Sequence, residues 1–280
     1  TTIPNRTQVQ IYFVEEEANK MKKFVALLLA VLMVASLCAC GQKDTGSDLQ
    51  TVTKGKLIMS TNAEFAPYEY VADDGKGFQG TGYEGIDIEI AYALAQKLGL
   101  ELVVDNMDFD AALSAVQTGK SDMVAAGVTV TPDRLNAMSF TDSYANGVQV
   151  VIVKEGSDIK SIDDLQGKKI GTQRGTTGFL YCSDDFGDDN VIGFDDGATA
   201  VQNLKAGKID CVVIDNVPAQ EYVKANPGLT ILDTEYANED YAIGIAKDNT
   251  ALQEALNKAL AELKADGTIQ SIIDKYIPAK

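Results

Sequence analysis

The chain reads as an α/β protein of two similar lobes with mixed, mainly parallel sheets, joined by two crossovers and holding a ligand cleft between them. Three observations lead to that expectation. From Lys54 to Ile277 short apolar runs alternate with stretches of helical period, the pattern of buried strands covered by helices. The run Ala112-Leu-Ser-Ala-Val-Gln-Thr-Gly-Lys-Ser-Asp-Met-Val-Ala-Ala-Gly127 returns as Val201-Gln-Asn-Leu-Lys-Ala-Gly-Lys-Ile-Asp-Cys-Val-Val-Ile-Asp215. Both copies combine an amphipathic helix, a Gly-Lys-x-Asp turn, a buried strand and a polar exit. Each copy therefore ends its strand at the same edge of its own sheet, and ligands of open α/β sheets sit beyond the carboxyl ends of the strands.

Taken in order, strands are expected at Lys56 to Thr61, Glu101 to Met107, Asp122 to Ala126, Val148 to Val153, Lys169 to Gln173, Val191 to Phe194, Asp210 to Asp215, Leu229 to Leu232 and Tyr241 to Ala246. The clearest helices are Asp87 to Leu98, Phe109 to Thr118, Ala198 to Ala206, Val217 to Asn226, and Ala251 to Ala265 followed by Ile269 to Tyr276. One lobe is expected from residues 55–146 with 239–280 and the other from 147–238, with extended crossovers near Gly147 and Glu239.

The N-terminal region has its own logic. Residues 21–39, beginning Met21-Lys-Lys, carry a basic start and an apolar run too short to span a membrane comfortably, which is the pattern of an export signal. Its end, Leu37-Cys38-Ala39-Cys40, resembles a bacterial lipobox that would place lipid on Cys40, with more than one acyl chain needed for a stable hold. Residues 40–54, polar and rich in Gly, Ser, Thr and Asp, then form a flexible tether. Residues 1–20 would bury the basic start behind Glu15-Glu-Glu17 and are expected to be a mis-called upstream extension. A purine-rich codon run for those three glutamates in the nucleotide sequence would support this.

Composition excludes several classes. A net charge of −17 lacks the basic face that nucleic acid requires. The absence of His removes imidazole metal sites and His-based acyl transfer. No metal and no cofactor is expected. The acidic run Ser183-Asp-Asp-Phe-Gly-Asp-Asp-Asn190 lacks the alternating ligand spacing of a calcium loop and reads as solvated surface. Gly75-x-Gly77-x-x-Gly80 is a nominal dinucleotide fingerprint with no buried strand before it and no helix at its third Gly. Cys182 on a helix pattern and Cys211 in a buried strand are either a disulfide or two reduced core thiols.

Candidate binding residues cluster at the strand exits. Thr131-Pro132 supplies an N-cap hydroxyl and a proline at the first helical position, so a helix starts at Pro132. The N–H groups there, the Thr129 hydroxyl and the Arg134 guanidinium can converge on one carboxylate, although an ordinary capped turn with a surface-paired Arg has the same pattern. In the second lobe Lys169-Ile-Gly-Thr-Gln173 runs into Arg174-Gly-Thr-Thr-Gly178 and a helix capped by Thr176 or Thr177. Asp215 closes the neighbouring strand, either as an N-cap for the helix at Asn216-Val-Pro218 or as a ligand group, or both. A cation on one lobe and an anion on the other complement a zwitterion.

Gly85-Ile-Asp-Ile-Glu-Ile-Ala-Tyr-Ala-Leu-Ala-Gln-Lys-Leu98 resembles the signature segment of the bacterial extracellular solute-binding proteins of family 3, the polar amino-acid receptors of ABC importers. The resemblance runs from about Lys56 to Ile277 and takes in Leu263-Lys-Ala-Asp-Gly-Thr-Ile269. It implies a type II periplasmic-binding fold in which a ligand carboxylate meets Arg134, the Thr129 backbone and Thr177, while its ammonium meets the Gly127 carbonyl, the Thr129 hydroxyl and Asp215. Phe65 and Phe109 match the family's aromatic walls; as plain residues they are core. Asn62 stands where receptors for cationic amino acids often carry Asp. Side-chain specificity would then come from Asn62, from Glu64 if it turns inward, or from Gln173.

What the resemblance implies as a whole is a lipid-anchored monomer on the extracytoplasmic face of the cell membrane. It would bind a polar or cationic L-amino acid by lobe closure and deliver it to the transmembrane subunits of an ABC permease. It would not be an enzyme. The alternative is a cyclohexadienyl-dehydratase-like enzyme using the same cleft, against which stand the missing His, the missing Gly-x-Ser-x-Gly and the lack of a carboxylate dyad beyond loop acids.

Overall fold

The computed structural model describes residues 49–278. The expected upstream extension, the signal peptide, Cys40 and most of the tether lie outside the described residues. The chain opens with β1 (Lys56–Thr61), whose Leu57 and Met59 are fully buried. A small antiparallel sheet follows, made of β2 (Glu64–Phe65), β3 (Glu69–Val71) and β4 (Tyr83–Glu84). Then come α1 (Ile86–Leu98), β5 (Glu101–Asn106), α2 (Phe109–Gln117), β6 (Met123–Val124), α3 (Pro132–Ala137) and β7 (Met138–Phe140).

The chain crosses on β8 (Ala145–Lys154) into β9 (Ile170–Gln173), α4 (Thr177–Phe186), β10 (Val191–Phe194), α5 (Gly197–Lys205), β11 (Cys211–Asp215), α6 (Asn216–Ala225) and β12 (Leu229–Ile231). It returns on β13 (Ala237–Tyr241) to β14 (Gly244–Ala246), α7 (Thr250–Ala265) and α8 (Thr268–Tyr276).

Two larger sheets form the lobes. The first has the order β5-β1-β6-β14-β7 and the second β10-β9-β11-β8-β12, with β13 also paired to β8. In each, the core strands run parallel (β5, β1 and β6; β10, β9 and β11) and the strands added on the crossover side are antiparallel.

The sequence echo is a structural echo at the level of single hydrogen bonds. In the first lobe Asp122 N–H donates to the Ile58 carbonyl at 2.9 Å while Ile58 N–H donates to the Asp122 carboxylate at 2.7 Å. In the second, Asp210 N–H donates to the Lys169 carbonyl and Lys169 N–H returns to the Asp210 carboxylate, both at 2.8 Å. The Asp of the Gly-Lys-x-Asp turn thus clips each central strand to its parallel neighbour. This satisfies an amide that the ladder leaves free at a strand start.

Some boundaries differ from expectation for definable reasons. β6 stops at Val124; the Ala125 N–H makes one more bond to the Ser60 carbonyl, and Ala126 and Gly127 then line the cavity between the lobes. The expected strand from Tyr241 to Ala246 is two strands, since Ala242 N–H turns aside to the Val128 carbonyl. The Gly75 to Gly80 run connects β3 to β4 through a 3₁₀ turn and opens no α-helix. Cys182 and Cys211 are free thiols with no exposed surface, in the second lobe's core. Asp185 and Asn190 of the acidic run make local bonds, to the Tyr236 hydroxyl and the Phe186 carbonyl.

The crossovers β8 and β13 are one antiparallel ribbon, paired from Ala145 with Tyr241 to Gln149 with Ala237. Gly147 lies beneath the Tyr241 ring, where a Cβ would overlap the phenol.

Candidate functional site

The carboxyl ends of both sheets meet at a cavity, the place where ligands of open α/β sheets sit. Its wall includes Asn62, Phe65, Phe109, Gly127, Thr129 and Arg134 from the first lobe and Gln173, Thr177 and Asp215 from the second. All the sequence-predicted contact residues except Glu64 are brought together there.

The cationic side is built by α3. Thr131 caps it, its hydroxyl accepting the Arg134 N–H at 3.2 Å, and Pro132 fills the first position. With six residues α3 is too short for much dipole, so the guanidinium supplies the charge. Arg134 is 8% exposed and donates to the Thr129 carbonyl at 2.8 Å and the Gly175 carbonyl at 3.1 Å. Its guanidinium carbon stands 5.5 Å from the Phe109 ring centre. Burial lowers its affinity for its proton, and nearby Glu239 opposes that. Both of these bonds go to carbonyls, which leaves donors of the fork for a carboxylate.

Opposite, Thr176 caps α4, its hydroxyl accepting the Phe179 N–H at 3.3 Å, so Thr177 is left facing the cavity with its hydroxyl 3.5 Å from that of Thr129. Asp215 occupies the N-cap position of α6 but makes no capping bond. Its carboxylate accepts the Tyr241 hydroxyl instead, and burial, then Glu239, push its pKa up to about 8. A buried acid raised this far, aimed into a cavity, is poised for a cation that would stabilise its ionised form.

At the far end the Gln173 amide donates to Asn62 Oδ1 at 2.8 Å and to the Asp195 carbonyl at 3.1 Å, while Asn62 Nδ2 donates to the Met107 carbonyl at 3.0 Å. With its two N–H groups engaged, Gln173, which lines the cavity, has its carbonyl oxygen left as an acceptor. Glu64 does not turn inward. β2 alternates, putting Phe65 on the cavity and leaving Glu64 exposed, where only its main-chain oxygen meets the Tyr222 hydroxyl at 3.4 Å.

Four lining or flanking groups escaped sequence reasoning: Glu69, Gln149, Glu239 and Tyr241. Glu69 and Gln149 line the cavity, and Gln149 Nε2 donates to Glu239 at 2.9 Å. Gln149 did leave a signal, as the lone polar residue inside Val148 to Val153. The others depend on which strand crosses where.

The Arg134–Gly175, Asn62–Gln173, Thr129–Thr177 and Glu64–Tyr222 contacts all run between lobes, so the cleft is closed over the cavity.

Comparison with known proteins identifies the family. The family model for bacterial extracellular solute-binding proteins, family 3, matches residues 57–279. The chain belongs to that family. This family 3 protein is 33% identical over 266 residues to the arginine-binding extracellular protein ArtP of Bacillus subtilis (strain 168), covering 91% of this chain and 98% of ArtP. An ancestral arginine-binding protein bound to glutamine superposes with a TM-score of 0.75 at 40% identity, covering 81% of this chain and 100% of that one. An ancestral arginine-binding protein bound to arginine gives 0.73 at 41%, covering 80% and 98%. The two-lobed architecture of the family 3 protein is that of these neighbours.

Proposed function

We propose that this family 3 protein captures a free polar or cationic L-amino acid outside the cytoplasmic membrane and delivers it to an ABC permease, binding its ligand without transforming it. The observation that carries the reading is the pairing of Arg134 on one lobe with Asp215 on the other across one closed cavity, both buried and neither engaged in an ion pair with the other. The α-carboxylate takes the free donors of Arg134 together with backbone N–H groups of Thr129 and Thr177. The α-ammonium takes the Gly127 carbonyl, the Thr129 hydroxyl and Asp215. Its charge favours the ionised form of Asp215, so the acid and the ligand stabilise each other. Phe65 and Phe109 flank the stem.

The side chain ends at Gln173, whose acceptor oxygen suits an N–H donor such as the amide of glutamine or the guanidinium of arginine. That the two ancestral relatives are described with glutamine and with arginine supports a site of this breadth. Closure turns on the ribbon near Gly147 and Glu239, with residues 55–146 and 239–280 in one lobe and 147–238 in the other. Lipid on Cys40 holds the monomer at the membrane.

The test is a thermal-shift screen of the twenty amino acids and cystine. A ligand at 100 times its dissociation constant stabilises by about 2.7 kcal/mol, so glutamine or arginine should raise Tm clearly. No shift with any of them would overturn the proposal. Small-angle scattering with the best ligand should show a more compact particle than without it. Cys40→Ala should release the protein from the membrane fraction, and retention would refute the anchor.

A further inference from the structure

Beneath the ammonium end of the cavity lies a pair of acids that the binding scheme leaves without a role. Glu69 on β3 and Asp87 on α1 are each 1% exposed. Asp87 Oδ2 accepts the Gly127 N–H at 2.9 Å. Its other oxygen, Glu69 Oε2 and the Tyr144 hydroxyl are buried and make no hydrogen bond. The two acids are neighbours: the Asp87 N–H donates at 2.9 Å to the carbonyl of Tyr68, the residue before Glu69, and Asp87 raises the affinity of Glu69 for its proton.

The groups facing this pair are Asp215 from β11 and the phenols of Tyr68, Tyr144 and Tyr241, with no cationic side chain among them. Two carboxylates here would both be buried without a counter-ion, which is strongly disfavoured. Two carboxyls holding one proton are satisfied at once, because a protonated acid becomes a donor.

Which of them holds the proton follows from their partners. Burial, then Asp87, raises Glu69 well above the usual carboxylate range. Asp87 is raised by burial too, but the Gly127 N–H that it accepts favours its ionised form, and the Glu69 carboxyl accepts no such bond. Glu69 is therefore the acid and Asp87 the acceptor. The turn they brace is tightly defined: Gly127 has φ +54°, and a Cβ there would come within 2.9 Å of the Phe65 ring.

We propose that Glu69 is a positioning residue that works as a neutral carboxylic acid, donating its proton to Asp87 so that Asp87 holds the Gly127 turn and its carbonyl toward the bound ammonium. This rests on the amino-acid reading of the cavity, but the proton itself can be sought without any ligand.

The experiment compares wild type with Glu69→Gln, Glu69→Ala and Asp87→Asn. Infrared difference spectra of the ligand-free proteins at neutral pH, in which the acid band of Asp215 is common to both and cancels, should show a buried carboxylic acid stretch that is present in wild type and missing from Glu69→Gln. Calorimetry with L-arginine and L-glutamine should place Glu69→Gln within about threefold of wild type, since the amide still donates to Asp87, and Glu69→Ala at a loss of about tenfold or more. As pH rises from about 7 to 9.5, wild type should lose affinity more steeply than Glu69→Gln, because loss of the shared proton sets two carboxylates against each other.

If Glu69→Ala fails to fold, Asp87→Asn substitutes for it. Its oxygen still accepts the Gly127 N–H and its amide donates to an ionised Glu69, so binding should persist and the same band should be missing relative to wild type. The idea is overturned if wild type and Glu69→Gln show the same acid bands, if Glu69→Gln binds as weakly as Glu69→Ala, or if the two pH profiles coincide. Failure of both amino acids to bind wild type would instead strike the proposed function and leave the infrared result to judge the pair.

Discussion

Replacing Arg134 should separate charge from geometry. Of the five N–H donors of a guanidinium, one is engaged by the Thr129 carbonyl and one by the Gly175 carbonyl. The remainder can grip a carboxylate in two places. A hydrogen bond to a charged group contributes about 1.5–3 kcal/mol. Arg134→Lys keeps a cation but loses one arm of the fork and the bridge to Gly175, so it should weaken binding by about 2–3 kcal/mol, roughly 30- to 150-fold. Arg134→Ala leaves a buried carboxylate unpaired and should cost about 3–5 kcal/mol, roughly 150- to 5,000-fold. It also abandons the contact with the Phe109 ring.

The assay is isothermal calorimetry with the best amino acid and with its α-carboxamide, which lacks the negative charge. Wild type should prefer the acid strongly, and the Ala variant should barely distinguish the two. The cap of α3 is formed by the main-chain N–H of residue 134 and survives either change, so a melt near wild type should accompany the loss of affinity. Unchanged discrimination between acid and amide in Arg134→Ala would refute the reasoning.

Three further outcomes are expected. Asp215 is raised to about 8 in the fold against about 3.9 unfolded. The folded state therefore holds a proton that the unfolded chain has lost, and the stability of the ligand-free protein should fall as pH rises through that window and level off above it. Asp215→Asn should flatten the slope measured by urea denaturation, and an unchanged slope would contradict the burial argument. Gly147→Ala should destabilise by about 1–3 kcal/mol through overpacking against Tyr241, so a wild-type Tm would show that the ribbon is looser than described. Glu64→Gln should leave affinity within about twofold, whereas Gln173→Ala should lose about 0.5–1.5 kcal/mol of calorimetric affinity for glutamine; the reverse order would return Glu64 to the site.

How much of this was legible in the sequence depends on how many residues carried each signal. Long strands and helices have enough apolar positions to declare their period, and the Gly-Lys-x-Asp echo announced two lobes because each Asp performs the same two-bond clip. Strands β2, β3, β4 and β7 have two or three residues each, too few for alternation to register. Among the acids near Phe65, sequence reasoning chose Glu64 where the fold turns Glu69 inward. The difference lies in the direction of the short link between β2 and β3, which residue types alone do not specify. Arg134, Thr129 and Asp215 were legible because a strand exit, a cap and a charge coincide at each.

The place of β14 bears on how the molecule is made. It is the fourth strand of the first sheet, lying between β6 and β7, yet it is synthesised after the whole second lobe. Until it arrives, β6 has an open edge and β7 has no sheet partner. The first half of the chain must wait, with that gap unfilled, for more than a hundred residues to emerge and turn back. Long-range closures of this kind are slow. The second lobe has no such debt to later strands except at β13, and a chain cut short before Gly244 would be left with its first sheet divided.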